Sequence, residues 1–142
     1  MKRSKKQPVQ NIEDLLYAFQ KKVRNAIRDE IKSLNCSIPQ GELIKHLSEN
    51  EQLSLSDIAI FLNISKPSAS VMIDGMEERG LVRRTIPKED RRSTIITLTP
   101  KSIALVKTIA SKKKKVIAVL MKKMSEKEQS DLSNLLTKLI AE

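Results

Sequence analysis

The chain has 142 residues, of which 27 are lysine or arginine and 17 are aspartate or glutamate, so its formal net charge is +10. Its length is typical of one domain. Its 39% hydrophobic content can build a core, but no apolar run approaches the ~20 residues that a bilayer span needs, so we expect no membrane segment. The charge favours a polyanionic partner over a role in solubility, because counterion release stabilises each phosphate contact.

The cysteine, histidine and glycine content argues against several kinds of site. Cys36 is the only cysteine, which rules out an intramolecular disulfide and predicts a cytoplasmic location. No apolar stretch follows the basic N-terminus, so we expect no signal peptide. His46 is the only histidine, which is too few for a usual zinc site, and the three glycines form no phosphate-binding loop. We therefore expect no metal, no cofactor and no enzymatic activity.

Two helices are predicted in the first third of the chain. Residues 1–10 are polar and basic and are predicted to be flexible. From Asn11 to Leu34, apolar residues recur at helical spacing. A helix of this length has more apolar face than a small neighbour covers, so part of it is predicted to be an intermolecular surface. Residues 35–39 end it, and a shorter helix follows over about Gln40–Glu49.

A helix-turn-helix is predicted next. Ser54 and Asp57 have the spacing of a capping box, which opens a helix with one apolar stripe. After a turn, Ser65 is placed to cap a second helix that has Pro67 in its first turn. Gly80 is placed to end that helix.

Two strands and two helices complete the predicted fold. The β-branched segments Leu81–Ile86 and Ser93–Thr99 bracket a charged six-residue loop, which predicts a hairpin. Thr99–Pro100 is the N-cap and first residue of another helix, and the capping box Ser125–Glu128 opens the last one. The predicted order is α-α-α-α-β-β-α-α, a mainly helical fold with a small β-hairpin.

A helix-turn-helix followed by a basic hairpin can place one helix and one wing against a nucleic-acid duplex. Aromatic residues make up 2% of the chain and none lies in the basic segments. Few side chains are therefore available to stack on unpaired bases, and the sequence favours a double-stranded nucleic acid as the partner.

Five segments carry a resemblance to a known family: Leu55–Ala59, Leu62–Ser70, Met76–Arg84, Asp90–Ser93 and Ile96–Pro100. The most specific pattern is Asp-x-Arg, here Asp90-Arg91-Arg92, followed by a strand that ends in Leu-Thr. In these features the chain resembles the MarR family of winged-helix transcription regulators. With the flanking helices, the resemblance covers roughly residues 11–140.

The resemblance implies an obligate homodimer in which the N- and C-terminal helices of two chains intertwine. It divides this chain into a helical dimerisation region, residues 11–36 and 100–142, and a winged helix-turn-helix DNA-binding domain, residues 37–99. It also implies a pseudo-palindromic DNA operator and, most simply, a repressor that a small ligand or oxidation releases.

The resemblance places the second helix of the motif in the major groove. Ser68 and Ser70 can then bond base edges or phosphates, and Lys66 is expected to pair with a phosphate. Pro67 and Val71 offer only apolar contact. Many family members carry arginine where Val71 stands, so either one DNA contact is missing here or Val71 packs inward. The sequence leaves both alternatives open.

The wing loop carries Lys88, Arg91 and Arg92. By the resemblance, Arg92 enters the minor groove, oriented by a salt bridge from Asp90. A guanidinium suits this place because a narrow minor groove concentrates negative potential. DNA contact is expected less of Arg91 than of Arg92.

Further contacts with the DNA backbone are expected from four residues. Ser54 and Ser56 begin the first helix of the motif, whose amides can meet a phosphate, with simple helix capping as an equal alternative. Of Arg83 and Arg84, one is predicted to face the DNA backbone and the other solvent. The lysine run 112–115 either widens the electropositive field or forms a solvated helix face, and we favour the solvated face.

Two candidate switches are present. Some family members sense peroxide through one cysteine, but Cys36 follows the first helix and has no cationic neighbour, which favours a small packed residue over a redox role. The family's ligand cavity implies a small hydrophobic or aromatic effector. Residues that could line it, and that could equally be core, are Leu16, Phe19, Leu43 and Leu47.

Two other functions stay open. A sequence-tolerant, architectural DNA-binding protein agrees with the net charge and with Val71, and would show little preference for one site. A protein–protein adaptor that uses the winged helix as its interaction surface would not need Arg92.

Overall fold

The computed structural model describes residues 8–142, and side chains from residue 11 onward. The first helix begins at Pro8, so residues 8–10 of the segment predicted to be flexible are helical, and the rest of that segment lies outside the described residues. None of the described helices combines the length and apolar character that crossing a bilayer requires.

The described chain contains six helices, one 3₁₀ turn and three strands. Helix α1 spans Pro8–Ile31 and runs into the 3₁₀ turn Lys32–Leu34. The other elements are α2 (Ile38–Asn50), β1 (Gln52–Ser54), α3 (Leu55–Leu62), α4 (Lys66–Glu78), β2 (Val82–Thr85), β3 (Ile95–Leu98), α5 (Pro100–Met121) and α6 (Glu126–Ile140).

Two compact units make up the described chain. The first unit consists of the chain up to Glu30 together with Lys112–Glu142. The second unit is Ile31–Ser111 and contains the helix-turn-helix and the three strands. Helices α1 and α5 each contribute residues to both units.

Helix α2 begins earlier than the sequence predicted. Its N-cap is Ser37, whose hydroxyl accepts a hydrogen bond from the Gln40 amide at 3.3 Å, while the Gln40 side-chain oxygen accepts one from the Ser37 amide at 3.1 Å. Pro39 lies in the first turn, where a missing N–H is harmless. Residues 37–39, which were expected to belong to the segment that ends the first helix, therefore begin the second one instead.

The caps predicted for the helix-turn-helix are confirmed. The Ser54 hydroxyl accepts from the Asp57 amide at 3.0 Å, and the Asp57 carboxylate accepts from the Ser54 amide at 3.2 Å. Asn63 ends α3 in the left-handed region at φ 53°, and the Ser65 hydroxyl caps α4 by accepting from the Ser68 amide at 3.1 Å. These local contacts fix where both helices begin.

Gly80 ends α4 in a Schellman motif. Its φ is +70°, its amide donates to the Glu77 carbonyl at 2.9 Å, and the Leu81 amide donates to the Met76 carbonyl at 2.9 Å. Glycine adopts this backbone conformation without the steric penalty that a Cβ brings. The reversal places Leu81 in the core, 1% exposed, at the entry to β2.

The sheet has one more strand than predicted. Its order is β1-β3-β2, all antiparallel, with Leu53 opposite Ile96 in one pair and Arg84 opposite Ile96 in the other. Strand β1 has only three residues, which is too short to show an alternating pattern. Because Ser54 is both the last residue of β1 and the N-cap of α3, the helix-turn-helix is tied directly to the hairpin.

The core of the second unit lies between α2, the helix-turn-helix and the sheet. Its fully buried side chains include Leu43, Ile44, Leu47, Ile58, Ala69, Ile73, Met76, Leu81 and Ile96. Helix α5 begins at Pro100, directly after Thr99 as predicted, and the Thr99 hydroxyl donates to the Gly80 carbonyl oxygen at 2.5 Å. The buried Ser102 hydroxyl donates to the Leu81 carbonyl. Both hydroxyls connect the start of α5 to the residues that follow α4.

The first unit leaves much of its apolar surface exposed. Helix α6 has no buried residue, and Leu139 and Ile140 are 75% and 80% exposed. On α1, the exposed apolar side chains are Ile12, Leu15, Leu16, Tyr17 and Phe19. These residues follow the predicted helical spacing, but within the described chain their apolar faces are not covered.

The lysine run 112–115 is only partly a solvated helix face, because two of its four lysines contact a glutamate. Lys112 and Lys115 lie 3.7 Å and 3.4 Å from the carboxylate oxygens of Glu30, which joins α1 to α5 within the first unit. Lys114 is exposed and Lys113 half-buried.

Replacing Gly80 with alanine is expected to destabilise the protein by about 1–2 kcal/mol, because a Cβ disfavours the left-handed region. Gly75→Ala is the matched control. Gly75 lies inside α4 with open space around it, so alanine there is expected to stabilise by about 0.5–1 kcal/mol. Urea unfolding measures both, and equal effects of the two substitutions would contradict this assignment.

Candidate nucleic-acid interface

The N-terminal part of α4 presents its polar residues and Val71 to solvent. Lys66, Pro67 and Ser68 are exposed, while Ala69 is buried. Val71 is 71% exposed, which excludes the alternative that it packs inward. The outward face of α4 therefore carries Lys66, Pro67, Ser68 and the apolar Val71, while the fifth predicted contact, Ser70, is half-buried.

The serines of the helix-turn-helix are largely engaged in capping. The Ser65 hydroxyl donates to the Ser68 hydroxyl at 2.8 Å. The Ser54 hydroxyl donates to the Asp57 carboxylate at 2.7 Å, and the two bonds from Ser54 hold the pKa of that carboxyl below its ordinary value. Capping is thus the contact that the structure shows for Ser54, while Ser56 is exposed.

The wing loop is organised by Asp90, but not through the predicted salt bridge. The Asp90 carboxylate accepts from the Ser93 hydroxyl at 2.7 Å and from the backbone amide of Arg92 at 3.0 Å. These two bonds, the Ser93 bond first, lower the pKa of Asp90. Among the described residues no ion pair joins Asp90 to the Arg92 guanidinium, so Asp90 orients the Arg92 backbone and leaves its side chain exposed.

The two arginines of β2 have different surroundings. Arg83 is exposed. Arg84 contacts α4: its guanidinium lies 2.5 Å from the Asp74 carboxylate and donates to the Ser70 carbonyl at 3.3 Å. The sequence predicted that one of these arginines faces the DNA backbone and the other solvent. In the structure Arg84 does neither, because its side chain faces the protein's own helix α4.

Sequence reasoning missed three residues that shape this surface. Ser93 stands three residues after Asp90, and this spacing of a carboxylate and a hydroxyl could have revealed its bond. Asp74 and Glu77 bind the side chain and the backbone amide of Arg84, respectively. Their partner Arg84 lies on another element, so no short-range sequence pattern predicts these contacts.

The predicted effector residues fall in different environments. Leu43 and Leu47 are 0% and 1% exposed in the core of the second unit, whereas Leu16 and Phe19 are exposed residues of the first. The second unit also has a cavity of about 470 Å³. Its lining includes Leu34, Leu81, Leu105, Arg79 and Lys101.

The remaining candidates have packing contacts. Cys36 is 8% exposed, and its thiol donates to the Ser37 carbonyl oxygen at 3.5 Å. The His46 ring stacks on Phe61 with centroids 3.9 Å apart. Over the residues whose side chains are described, no group of three histidine, cysteine or acidic residues is placed to hold a metal ion. A redox role for Cys36 stays a prediction that its burial does not favour.

A helix-turn-helix followed by a hairpin, with a third short strand completing the sheet, defines a winged-helix protein. A family model described as the MarR family matches residues 36–94. The chain is 31% identical over 85 residues to the organic hydroperoxide resistance transcriptional regulator of Bacillus subtilis (strain 168), a match that covers 60% of this chain and 58% of that protein. The chain spans about half the length of the first curated relatives it matches, 44% and 58%.

Solved structures show the same fold. Apo wild-type MarR from E. coli has a TM-score of 0.83 at 16% identity, covering 97% of this chain and 100% of that one. A MepR mutant from S. aureus bound to an oligodeoxyribonucleotide has a TM-score of 0.70 at 24% identity, covering 91% and 95%. The chain thus resembles the MarR family over residues 36–94, which include the helix-turn-helix. Its relatives are named as transcriptional regulators and not as enzymes.

The lowered pKa of Asp90 predicts how the wing responds to acid. Because the carboxyl titrates below its ordinary value of 3.8 in the folded wing, its two bonds stabilise the wing above that value and are lost as the pH falls through the lowered pKa. Ser93→Ala is expected to move the midpoint of Asp90 up toward 3.8, since the Ser93 bond is the larger cause. Carboxyl-carbon NMR follows this titration.

Asp57 is the internal control, because its lowered pKa depends on Ser54 and not on Ser93. An Asp90 midpoint that does not change in Ser93→Ala, or a parallel change of Asp57, would show that the hydroxyl bond does not organise the wing.

Proposed function

We propose that the chain is a sequence-specific regulator of transcription that binds double-stranded DNA as a homodimer on a pseudo-palindromic operator, most simply as a repressor in the cytoplasm. The observation that carries this proposal is the pairing of an exposed α4 N-terminus with an exposed arginine loop on the hairpin of the same compact unit. One element suits the major groove and the other an adjacent minor groove.

Helix α4 would supply the base contacts. Ser68 and Ser70 can bond base edges or phosphates, and Lys66 can neutralise a phosphate. Val71, with 71% of its surface exposed, is available for contact with a thymine methyl beside Pro67. Base reading on this helix would thus depend on two hydroxyls and two apolar side chains, without an arginine.

The wing would supply the strongest cationic contact. Asp90 holds the backbone of Arg92, which directs the loop without neutralising the guanidinium. An arginine presented in this way suits the narrow minor groove, where negative potential is concentrated. Lys88 and Arg91 are exposed on the same loop and would add phosphate contacts, as would the exposed Arg83 on β2.

The second copy of the chain is the partner proposed for the first unit. Large apolar side chains are left exposed along α1 and α6, and exposed apolar surface of this kind marks interaction sites. A symmetric dimer that covers these helices would hold two winged helices at a fixed separation, as successive half-sites of a palindrome require. The dimerisation helices proposed here are residues 11–36 and 100–142, and the DNA-binding domain is residues 37–99.

A small effector is proposed to weaken DNA binding. The cavity of the second unit combines apolar walls with Arg79 and Lys101, whose ammonium donates to the Arg79 carbonyl at 2.9 Å. This lining supports an aromatic or hydrophobic ligand with an acidic group. Aromatic carboxylates are expected to raise the melting temperature more than their neutral amides do, and a panel without any change in melting temperature or DNA affinity would remove this part of the proposal.

The test of the main proposal is fluorescence anisotropy at moderate salt, with a duplex from the region upstream of the chain's own gene and a scrambled duplex. The wild type is expected to prefer the upstream duplex. Arg92→Ala is expected to lose about 1–3 kcal/mol of binding to it. Arg91→Ala is the matched control, since it removes the same charge from the same loop and is expected to weaken binding less.

Each other outcome selects a different function. Equal affinity for both duplexes with a steep salt dependence would identify the sequence-tolerant architectural protein, which the apolar Val71 and the net charge of +10 favour as second candidate. If neither the wild type nor Arg92→Ala binds either duplex, both DNA-binding functions would be overturned, and a protein–protein adaptor would be favoured.

A further inference from the structure

Arg84 joins the hairpin to α4 through contacts made by its side chain and its backbone. Its guanidinium contacts the Asp74 carboxylate at 2.5 Å and the Ser70 carbonyl oxygen at 3.3 Å. Its amide donates to the Glu77 carboxylate at 2.9 Å. One residue of β2 is thus bonded to three residues of α4.

The three partners lie on one face of α4. Ser70, Asp74 and Glu77 are spaced by four and three residues, which aligns them along the helix. Four of the five α4 residues predicted to meet DNA, Lys66 to Ser68 and Val71, lie outside this row and are exposed, whereas the fifth, Ser70, belongs to the row and is half-buried. Helix α4 therefore uses one polar face for the hairpin and another for solvent.

The backbone contact satisfies one amide at an edge of the sheet. Strand β2 is an edge strand, since β3 lies between it and β1. An edge strand has amides with no neighbouring strand, and the Glu77 carboxylate takes the amide of Arg84. This bond and the guanidinium contacts act at the same residue, two positions before the loop begins at Ile86.

We propose that Arg84 is a positioning residue that sets the orientation of the wing relative to α4. The preference for one DNA site then depends on Arg84, although its guanidinium makes no contact with DNA. This inference rests on the proposed function. An arginine suits the role because its planar fork can bond a carboxylate and a carbonyl at once, which a lysine ammonium does not reproduce with the same geometry.

The surroundings of Arg84 argue against a direct phosphate contact. Its side chain is only 25% exposed, and Asp74 places a negative charge against the guanidinium. Its Nε is buried without a hydrogen-bond partner, so the side chain is kept in place by its terminal nitrogens. A phosphate would have to displace Asp74, an anion already in contact.

The test compares Arg84→Lys and Arg84→Met with the wild type on two probes, a duplex selected by the wild type from a random-sequence library and a scrambled duplex. Both variants are expected to lower the ratio of affinities for the two duplexes about tenfold. A change of this size is typical when residues of one hydrogen-bonded network are uncoupled. The salt slope on the scrambled duplex is expected to equal that of the wild type, because no phosphate contact is lost.

Arg83→Met is the matched control, since it removes the same charge from the neighbouring position of β2. It is expected to weaken binding to both duplexes together. Preservation of the affinity ratio in Arg84→Lys would overturn the proposal. A fall of about 0.9 in the salt slope of Arg84→Met would also overturn it, because that fall marks one lost phosphate contact.

A measurement without DNA separates failure of this inference from failure of the proposed function. Amide hydrogen exchange of the DNA-free protein is expected to be faster in residues 82–86 and 93–96 of both Arg84 variants, and unchanged there in Arg83→Met. Thermal melting confirms that the variants are folded. Unchanged exchange in Arg84→Met would overturn the positioning role even where wild-type DNA preference is observed. Faster exchange in a protein whose wild type shows no DNA preference would mark failure of the proposed function, while the link between the wing and α4 would stand.

Discussion

The surface that faces solvent on α4 depends on the burial of the opposite stripe of that helix. Ala69, Ile73 and Met76 are each 0% exposed and are spaced by four and three residues. Their packing fixes the rotation of α4 about its own axis, because turning the helix would bring polar residues into the core. The exposure of Val71 follows from this constraint, as does the alignment of the row that meets β2. Apolar packing thus decides which polar contacts the helix can make.

Local signals in the sequence predicted the helix boundaries well, because a capping partner lies only three residues away. The boxes at Ser54 and Ser125 and the glycine at position 80 were predicted correctly. The box at Ser37 has the same chemistry but was missed beside Pro39, which suggested a break. Contacts between elements had no such signal, so the short strand β1 and the link from Arg84 to α4 could not be predicted from spacing alone.

Asp90 bonds the backbone amide of Arg92 and not the predicted guanidinium, for a reason of local geometry. A short carboxylate can reach the amide two residues ahead without any rearrangement of the chain, which is a common local arrangement for aspartate in turns. In the structure it makes this bond to Arg92 and adds the Ser93 hydroxyl. A salt bridge to the guanidinium would instead require a long side chain to fold back and lose rotamer freedom. The local geometry therefore favours a bond to the Arg92 backbone and leaves the guanidinium exposed.

Carboxylates of the second unit connect α4 and the wing to their neighbours in a chain whose net charge is +10. Asp74, Glu77 and Asp90 each accept hydrogen bonds that connect α4 or the wing to neighbouring backbone or to Arg84. Negative groups near a polyanion lower the general electrostatic attraction, so their presence has a cost in sequence-independent binding. Their contacts instead hold two elements in defined orientations. Since phosphate contacts position a protein and base contacts specify its site, rigid placement of few base-reading side chains is the physical route by which α4 could discriminate without an arginine at position 71.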